Sequence, residues 1–161
     1  MSVRYLLDTN ICIYIAKHNP PAVREHFARH AANELVMSVI TLGELRFGAE
    51  KSQSRERALA TIQQLEGLIP PRALPEASGE HHGQIRAVLQ RGGAIIGNND
   101  LWLAAHARAE GWILVTNNTR EFSHVPGLQL ENWAEDGGQV SHLGRARPPT
   151  PARPSRPPHT V

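Results

Sequence analysis

Leu6-Leu7-Asp8-Thr9-Asn10 decides how this chain reads: an apolar run from Val3 to Leu7 stops at an acid and gives way to a helical pattern. A strand buried on both faces of a parallel sheet reads as such a run, and ligands of open α/β sheets collect at the carboxyl ends of the strands. Asp8 is therefore a candidate site residue. Glu44 and Asp100 stand at similar junctions, where apolar segments pass into helices, so the sequence predicts a constellation of three acids.

Outward from that stretch, strand-like and helix-like segments alternate. Asn10 to Lys17 carries Ile11, Tyr14 and Ile15 at helical spacing, and Pro20-Pro21 opens a second helix with Ala22, Val23 and Phe27 on one side. Leu35 to Val39 is the second strand, and it runs into a helix beginning at Thr41-Leu42-Gly43-Glu44. Ser54 to Ile69 is the clearest amphipathic helix, with Leu59, Ile62, Leu65 and Ile69 in register and Pro70-Pro71 as its stop. A further helix spans Ala77 to Gln90. After Gly92-Gly93 and a short loop, Asp100 starts a helix that Gly111 ends. Trp112 to Thr116 is a buried strand, Asn117 to Phe122 a polar loop, and Leu128 to Leu130 a last, edge strand. Strands separated by helices in this way predict an α/β fold, a parallel sheet covered on both faces.

A chain of 161 residues with 40% hydrophobic composition can bury one core without disulfides. The single cysteine, Cys12, excludes an internal disulfide and a cysteine zinc cage, and makes a reducing, cytoplasmic compartment the expectation. No apolar stretch approaches membrane-spanning length and no signal-peptide pattern is seen, so no membrane partner is expected. The formal net charge of +2 hides an asymmetry. From Gly138 onward there are four arginines (Arg145, Arg147, Arg153, Arg156), no acid and six of the twelve prolines, so residues 1–137 are net −2. Such a composition favours extended polyproline II and cannot fill a core. The sequence thus divides into a folded unit, 1–136, and a Pro/Arg-rich tail, 137–161, whose expected state is solvated disorder or a weak electrostatic grip on RNA.

Each acid has an ordinary structural reading. Asp8 and Asp100 suit helix N-caps, and Thr41-Leu42-Gly43-Glu44 fits a capping box. Capping and metal binding are compatible, because a helix N-terminus favours the same anions that a cation needs. Should the three converge, two carboxylates ~4 Å apart repel by about 4 kcal/mol at an effective dielectric near 20, so the group requires a counterion or a proton. Oxygen ligands select a hard ion, Mg²⁺ or Mn²⁺. The matching reaction class is metal-assisted phosphodiester hydrolysis.

Leu7-Asp8-Thr9-Asn10-Ile11-Cys12-Ile13-Tyr14, Thr41-Leu42-Gly43-Glu44-Leu45, Gly97 to Ala107 and Leu114 to Phe122 together resemble the four motif blocks of PIN-domain ribonucleases, specifically the VapC toxins of type II toxin–antitoxin pairs. The likeness runs from about Val3 to Trp133. It implies a three-layer α/β/α fold on a central parallel sheet of four to five strands. It also implies an endoribonuclease that binds Mg²⁺ or Mn²⁺ through Asp8, Glu44 and Asp100, cuts RNA, commonly tRNA, and so inhibits translation. A VapB-type antitoxin that inserts into the cleft, operator DNA contact through that antitoxin, and a homodimer are the implied partners. One position departs from the pattern: where many PIN domains carry a fourth acid this chain has Asn118, and Glu121 nearby is the candidate replacement, with a surface turn residue as its ordinary reading. Thr116 and Asn10 flank the acids and are candidates to orient water or substrate, or simply caps.

The remaining conspicuous residues read structurally. His81-His82 suggest a surface helix, His106 and Cys12 core positions, the three tryptophans packing, and Arg46 an exposed helix residue rather than a phosphate ligand. Two rivals belong to other classes. A receiver-like phosphoacceptor module needs an acidic pair at its first strand and a late lysine, whereas Asp8 is the only acid before Glu25 and the only lysines are Lys17 and Lys51. A non-catalytic PIN-like regulator that binds RNA or a partner is the alternative that Asn118 leaves open.

Overall fold

A computed structural model of the chain describes residues 2–135. The expectations for the Pro/Arg-rich segment, and the domain end placed at Asp136, lie outside the described residues. Five parallel strands form the centre: β1 (Tyr5–Leu7), β2 (Leu35–Ser38), β3 (Pro71–Arg72), β4 (Ile113–Val115) and β5 (Leu130–Glu131), in the order β3-β2-β1-β4-β5. The seven helices among the described residues are α1 (Thr9–Lys17), α2 (Pro21–Arg29), α3 (Val39–Glu50), α4 (Arg55–Leu68), α5 (Ser78–Arg91), α6 (Asn98–Glu110) and α7 (Thr119–Phe122).

Alternation along the strands splits the core between the two faces of the sheet. Tyr5 and Leu7 point into a cluster with Ile11, Cys12, Val23, Leu45, Ile62 and Trp133, under α1 to α4. Leu6 points the other way, onto Ile85, Leu89, Leu101, Ala104 and Phe122 from α5, α6 and α7. This is the expected three-layer α/β/α arrangement. Cys12 is fully buried, and burial together with the nearby Asp8 charge pushes its thiol pKa up, so it is an inert core residue as expected.

From β1 the chain proceeds outward on one side through β2 and β3, then crosses to lay β4 on the other side of β1. The boundary between β1 and β4 is thus the topological switch point, where the loops leaving two adjacent strands diverge and open a crevice. Leu7 pairs with Val115, and the Asp8 N–H donates to the Val115 carbonyl at 2.9 Å. Residues 8 and 116 are side by side at that boundary.

Several elements differ from the sequence reading. The third helix starts at Val39 with Ser38 as its cap, the Ser38 Oγ accepting from Ile40 N at 3.1 Å, so there is no Thr41/Glu44 capping box. Thr41 lies inside α3, fully buried, and its hydroxyl has no hydrogen bond among the described residues. Residues 117–122 are not all loop, since Thr119–Phe122 makes a single helical turn. The His81-His82 pair is half-buried rather than on the surface. His81 accepts a 2.8 Å bond from Arg108 Nε, and the His82 ring stacks on Trp102 with 3.9 Å between centroids, because α5 and α6 pack along their length. His106 is buried as expected, 2.9 Å from Ser38 Oγ. Trp133 is fully buried, parallel to the rings of His26 and His30. Arg46 is exposed and pairs with Glu66 at 3.4 Å. Among the described residues no helix is long and apolar enough to cross a membrane.

Candidate active site

Asp8 follows the last residue of β1 and caps α1, in a backbone conformation (φ −70°, ψ 162°) that turns its carboxylate back over the helix start. It is only 7% exposed, and both of its oxygens are held. Oδ1 accepts from the Thr9 N–H at 2.7 Å, and Oδ2 accepts from the Thr116 hydroxyl at 2.7 Å. Burial raises its pKa; the Thr116 and Thr9 hydrogen bonds pull it back, and the charge of Glu44 raises it further. A buried carboxylate facing another acid is costly unless a cation joins it.

Glu44 projects from the second turn of α3 and is half-buried. Its Oε2 accepts a 2.7 Å bond from the Thr9 hydroxyl, which ties α3 to the start of α1. Asp100 lies in the first turn of α6. It is not the cap, as the sequence suggested; the helix begins two residues earlier, behind Gly97. A first-turn acid still faces the unpaired N–H groups and the positive end of the helix dipole. The carboxyl of Asp100 is pushed up to about 6, first by burial and then by the charges of Asp8, Glu44 and Glu121. Acids from the β1 end, α3 and α7 therefore act on the one carboxyl in α6.

Asn118 and Glu121 belong together. The Asn118 side-chain amide donates to Glu121 Oε2 at 3.0 Å, while the Asn118 backbone N–H donates to Thr116 Oγ1 at 3.0 Å. Thr116 in turn donates to Asp8, so a continuous chain of hydrogen bonds runs from Glu121 to Asp8. Asn10 is one step removed. Its Oδ1 accepts from Asn117 N at 3.5 Å, Asn117 donates to the Tyr14 hydroxyl at 3.2 Å, and the contacts brace the loop after β4 against α1. Thr9, which the sequence reading passed over, is the residue that touches both Asp8 and Glu44.

Among the described residues, no three His, Cys, Asp or Glu side chains are drawn together tightly enough to enclose an ion. The acids are instead linked through Thr9, which bonds to both Asp8 and Glu44, and through the charges that Asp8, Glu44 and Glu121 exert on Asp100. An all-oxygen donor set of this kind, with a raised carboxyl that needs a neutralising charge, fits a hard divalent cation that keeps several of its waters. It fits zinc poorly, since neither a cysteine nor a histidine is part of it.

Residues 5–128 match the PIN domain family. A tRNA(fMet)-specific endonuclease VapC from Shigella flexneri is 46% identical over 132 residues, which cover 82% of this chain and 99% of that protein. The chain belongs to the PIN-domain family, among the VapC ribonucleases. Two solved structures extend the match to three dimensions. The PIN fold here aligns with DNA-bound VapBC from Salmonella typhimurium at a TM-score of 0.76 and 40% identity, over 81% of this chain and 98% of that one. Against VapBC2 from Rickettsia felis, bound to a DNA fragment from its promoter, the TM-score is again 0.76, at 36% identity over 81% of this chain and 99% of the other. The five-stranded parallel sheet and its helical layers are thus those of VapC PIN domains.

Proposed function

We propose that this PIN domain is a Mg²⁺- or Mn²⁺-dependent endoribonuclease and the toxin of a type II toxin–antitoxin pair, hydrolysing RNA phosphodiesters in the crevice at the β1/β4 boundary. One observation carries the reading: four acids far apart in sequence come together, Asp8, Glu44 and Glu121 lying close enough to Asp100 that their charges, after its burial, raise its carboxyl. Asp8, Glu44 and Asp100 would hold the cation, with Glu121, steered by Asn118, as the fourth acid. When bound, that ion neutralises charge on the phosphodiester and lowers the pKa of water. The protein's own contributions are orientation and proton handling. Thr116 and Thr9 fix the Asp8 carboxylate, and the exposed Glu121 would accept a proton from the attacking water.

The relatives support tRNA as the substrate class, since the Shigella flexneri protein is named for tRNA(fMet). The solved VapBC complexes support a VapB-type antitoxin as partner, with operator DNA contacted through it, and a homodimer is proposed alongside. The decisive experiment incubates the purified chain with a tRNA pool in Mg²⁺, in Mn²⁺ and in chelator, and maps the new ends. Cleavage only with metal is expected. Metal-independent cleavage would exclude the mechanism, and binding without cleavage would favour the non-catalytic regulator.

Glu121→Gln should slow cleavage by about 100-fold or more at saturating metal, the scale of a general acid–base group, while the metal dependence stays close to that of the wild type. A rate equal to that of the wild type would return Glu121 to an ordinary surface residue.

The nuclease unit is proposed to end near Asp136. Support comes from the matched segment, which spans 99% of the Shigella flexneri protein with 132 residues of this chain. Deletion of residues 138–161 should leave folding and metal-dependent cleavage intact. Removing its four arginines should flatten the salt dependence of RNA binding by at most about 0.7 in log–log slope for each phosphate that the tail neutralises. Cleavage and RNA binding by both forms across a salt series check this; a truncated chain that fails to fold would move the boundary.

A further inference from the structure

We propose that Thr9 is a positioning residue that orders Glu44 for cation binding, so that the site's metal affinity depends on a hydroxyl that is not itself a ligand. The inference rests on the metal-dependent reading above and goes one step beyond its ligand set.

Thr9 is the first residue of α1, directly after the Asp8 cap. Its backbone N–H is one of the groups left without a helical partner at a helix start, and it is spent on Asp8 Oδ1. Side chains of an α-helix lean toward its N-terminus, which at this position means toward the crevice and toward α3. The Thr9 hydroxyl reaches Glu44 Oε2 at 2.7 Å, across 35 residues of sequence. One residue therefore connects two of the acids, by its main chain to one and by its side chain to the other.

The two acids depend on this contact unequally. Asp8 is short, buried and held through both oxygens, so its position survives the loss of any single partner. Glu44 is half-buried on a longer side chain with more rotamers to lose, and among the described residues the Thr9 hydroxyl is its only hydrogen-bond or ion-pair partner. The bond occupies one lone pair of Oε2 and leaves Oε1 and the remaining lone pairs to a cation. It also places a donor where the Glu44 charge faces the Asp8 charge, easing the repulsion that would otherwise turn Glu44 outward before a cation arrives.

Thr9→Val keeps the branched shape and removes the hydroxyl, Thr9→Ala removes both with good helix propensity, and Thr9→Ser restores the donor alone. The readout is the Mn²⁺ concentration that half-saturates the thermal shift of each protein, with the midpoint in chelator measured separately to register any purely structural effect. Thr9→Val and Thr9→Ala should need at least about 10-fold more Mn²⁺, as loss of a hydrogen bond orienting a metal ligand does, and Thr9→Ser should stay close to wild type. Cleavage should follow the same curve and recover largely at saturating Mn²⁺. On a Glu44→Gln background, Thr9→Val should add nothing further, because both changes act through one carboxylate. An unchanged Mn²⁺ midpoint in Thr9→Val and Thr9→Ala overturns the proposal, as does a Thr9→Ser protein as weak as Thr9→Val. A wild type with no Mn²⁺-dependent shift would overturn the metal site itself, a failure that the variants cannot imitate.

Discussion

RNA cleavage by the Asp8→Asn protein is expected to fall at least about 100-fold at saturating Mg²⁺, the scale for removing one preorganised electrostatic contact, while its thermal midpoint in chelator is no lower than that of the wild type. Asparagine keeps the shape of the side chain. Its Oδ1 can accept the Thr9 N–H, and its amide can donate to Thr116 Oγ1, which has a lone pair left beside the one used by Asn118 N. What disappears is the charge, and with it the acceptor of the Thr116 hydroxyl proton. Because Asp8 is buried beside Glu44, losing it should ease the metal-free protein and cripple the site at the same time. Asp8→Ala would confuse these effects, since it also strips the cap from α1 at a cost of about 1 kcal/mol and leaves the Thr116 hydroxyl with no hydrogen-bond partner at residue 8. Paired rates and melting curves for Asp8→Asn separate the roles; wild-type cleavage by that protein would reduce Asp8 to a cap.

What was legible in the sequence follows from which forces leave a local trace. Leu6-Leu7, Leu35 to Met37 and Leu114-Val115 are strands buried on both faces, so their apolar runs identify them without tertiary information. The edge strand β3 leaves no such trace. Pro71–Arg72 pairs through backbone alone, with Met37 N donating to the Pro70 carbonyl, and a Pro-Pro pair reads as a stop. α7 has four residues, too few for a period to show. The shift of the α6 start from Asp100 to Asn98 has the same origin: Gly97 caps with backbone only, and the acid is the more conspicuous neighbour.

Of the candidate acids, only Asp8 has a local signature of that kind, a strand that stops at a carboxylate; Glu44 in the second turn of α3 and Asp100 in the first turn of α6 follow no strand directly, and the motif resemblance singles them out. Their mutual arrangement was not legible, since it depends on β4 lying beside β1 rather than on any spacing along the chain. Thr9 shows the limit most plainly. In sequence it is an unremarkable helix-start threonine, and its contact to Glu44 exists only because α1 packs against α3. Conversely, the His81-His82 pair has the look of a surface segment until α6 supplies Trp102 and Arg108 to cover it.

The second large effect concerns pH in the absence of metal. Asp100 titrates at about 6 in the fold, against 3.8 for an unperturbed aspartate, because burial and the charges of Asp8, Glu44 and Glu121 disfavour its ionised form. Between those values the folded state binds more protons than the unfolded chain, so stability falls as pH rises from about 4 to about 6 and stays reduced above. His106 works in the opposite direction. Burial lowers it to about 4 from 6.5, so below 6.5 the unfolded chain takes up a proton that the fold refuses, and stability rises with pH across nearly the same window. The two slopes offset each other in the wild-type protein. Asp100→Asn should remove the falling one. In chelator its thermal midpoint should climb from pH 4 to 6.5 more steeply than that of the wild type, and exceed it above pH 6. His106→Leu, which cannot protonate, should show the reverse, a midpoint that declines over the window. Saturating Mn²⁺ should raise the wild-type midpoint strongly at pH 7 and weakly at pH 4, where Asp100 is already protonated, and should do little for Asp100→Asn at either pH. Melting curves of the three proteins at pH 4, 5, 6 and 7, with chelator and with Mn²⁺, test the whole pattern. Parallel pH curves for wild type and Asp100→Asn would mean that neither burial nor the charges of its neighbours raise the Asp100 carboxyl, and Asp100 would then have to be read as standing apart from the other acids.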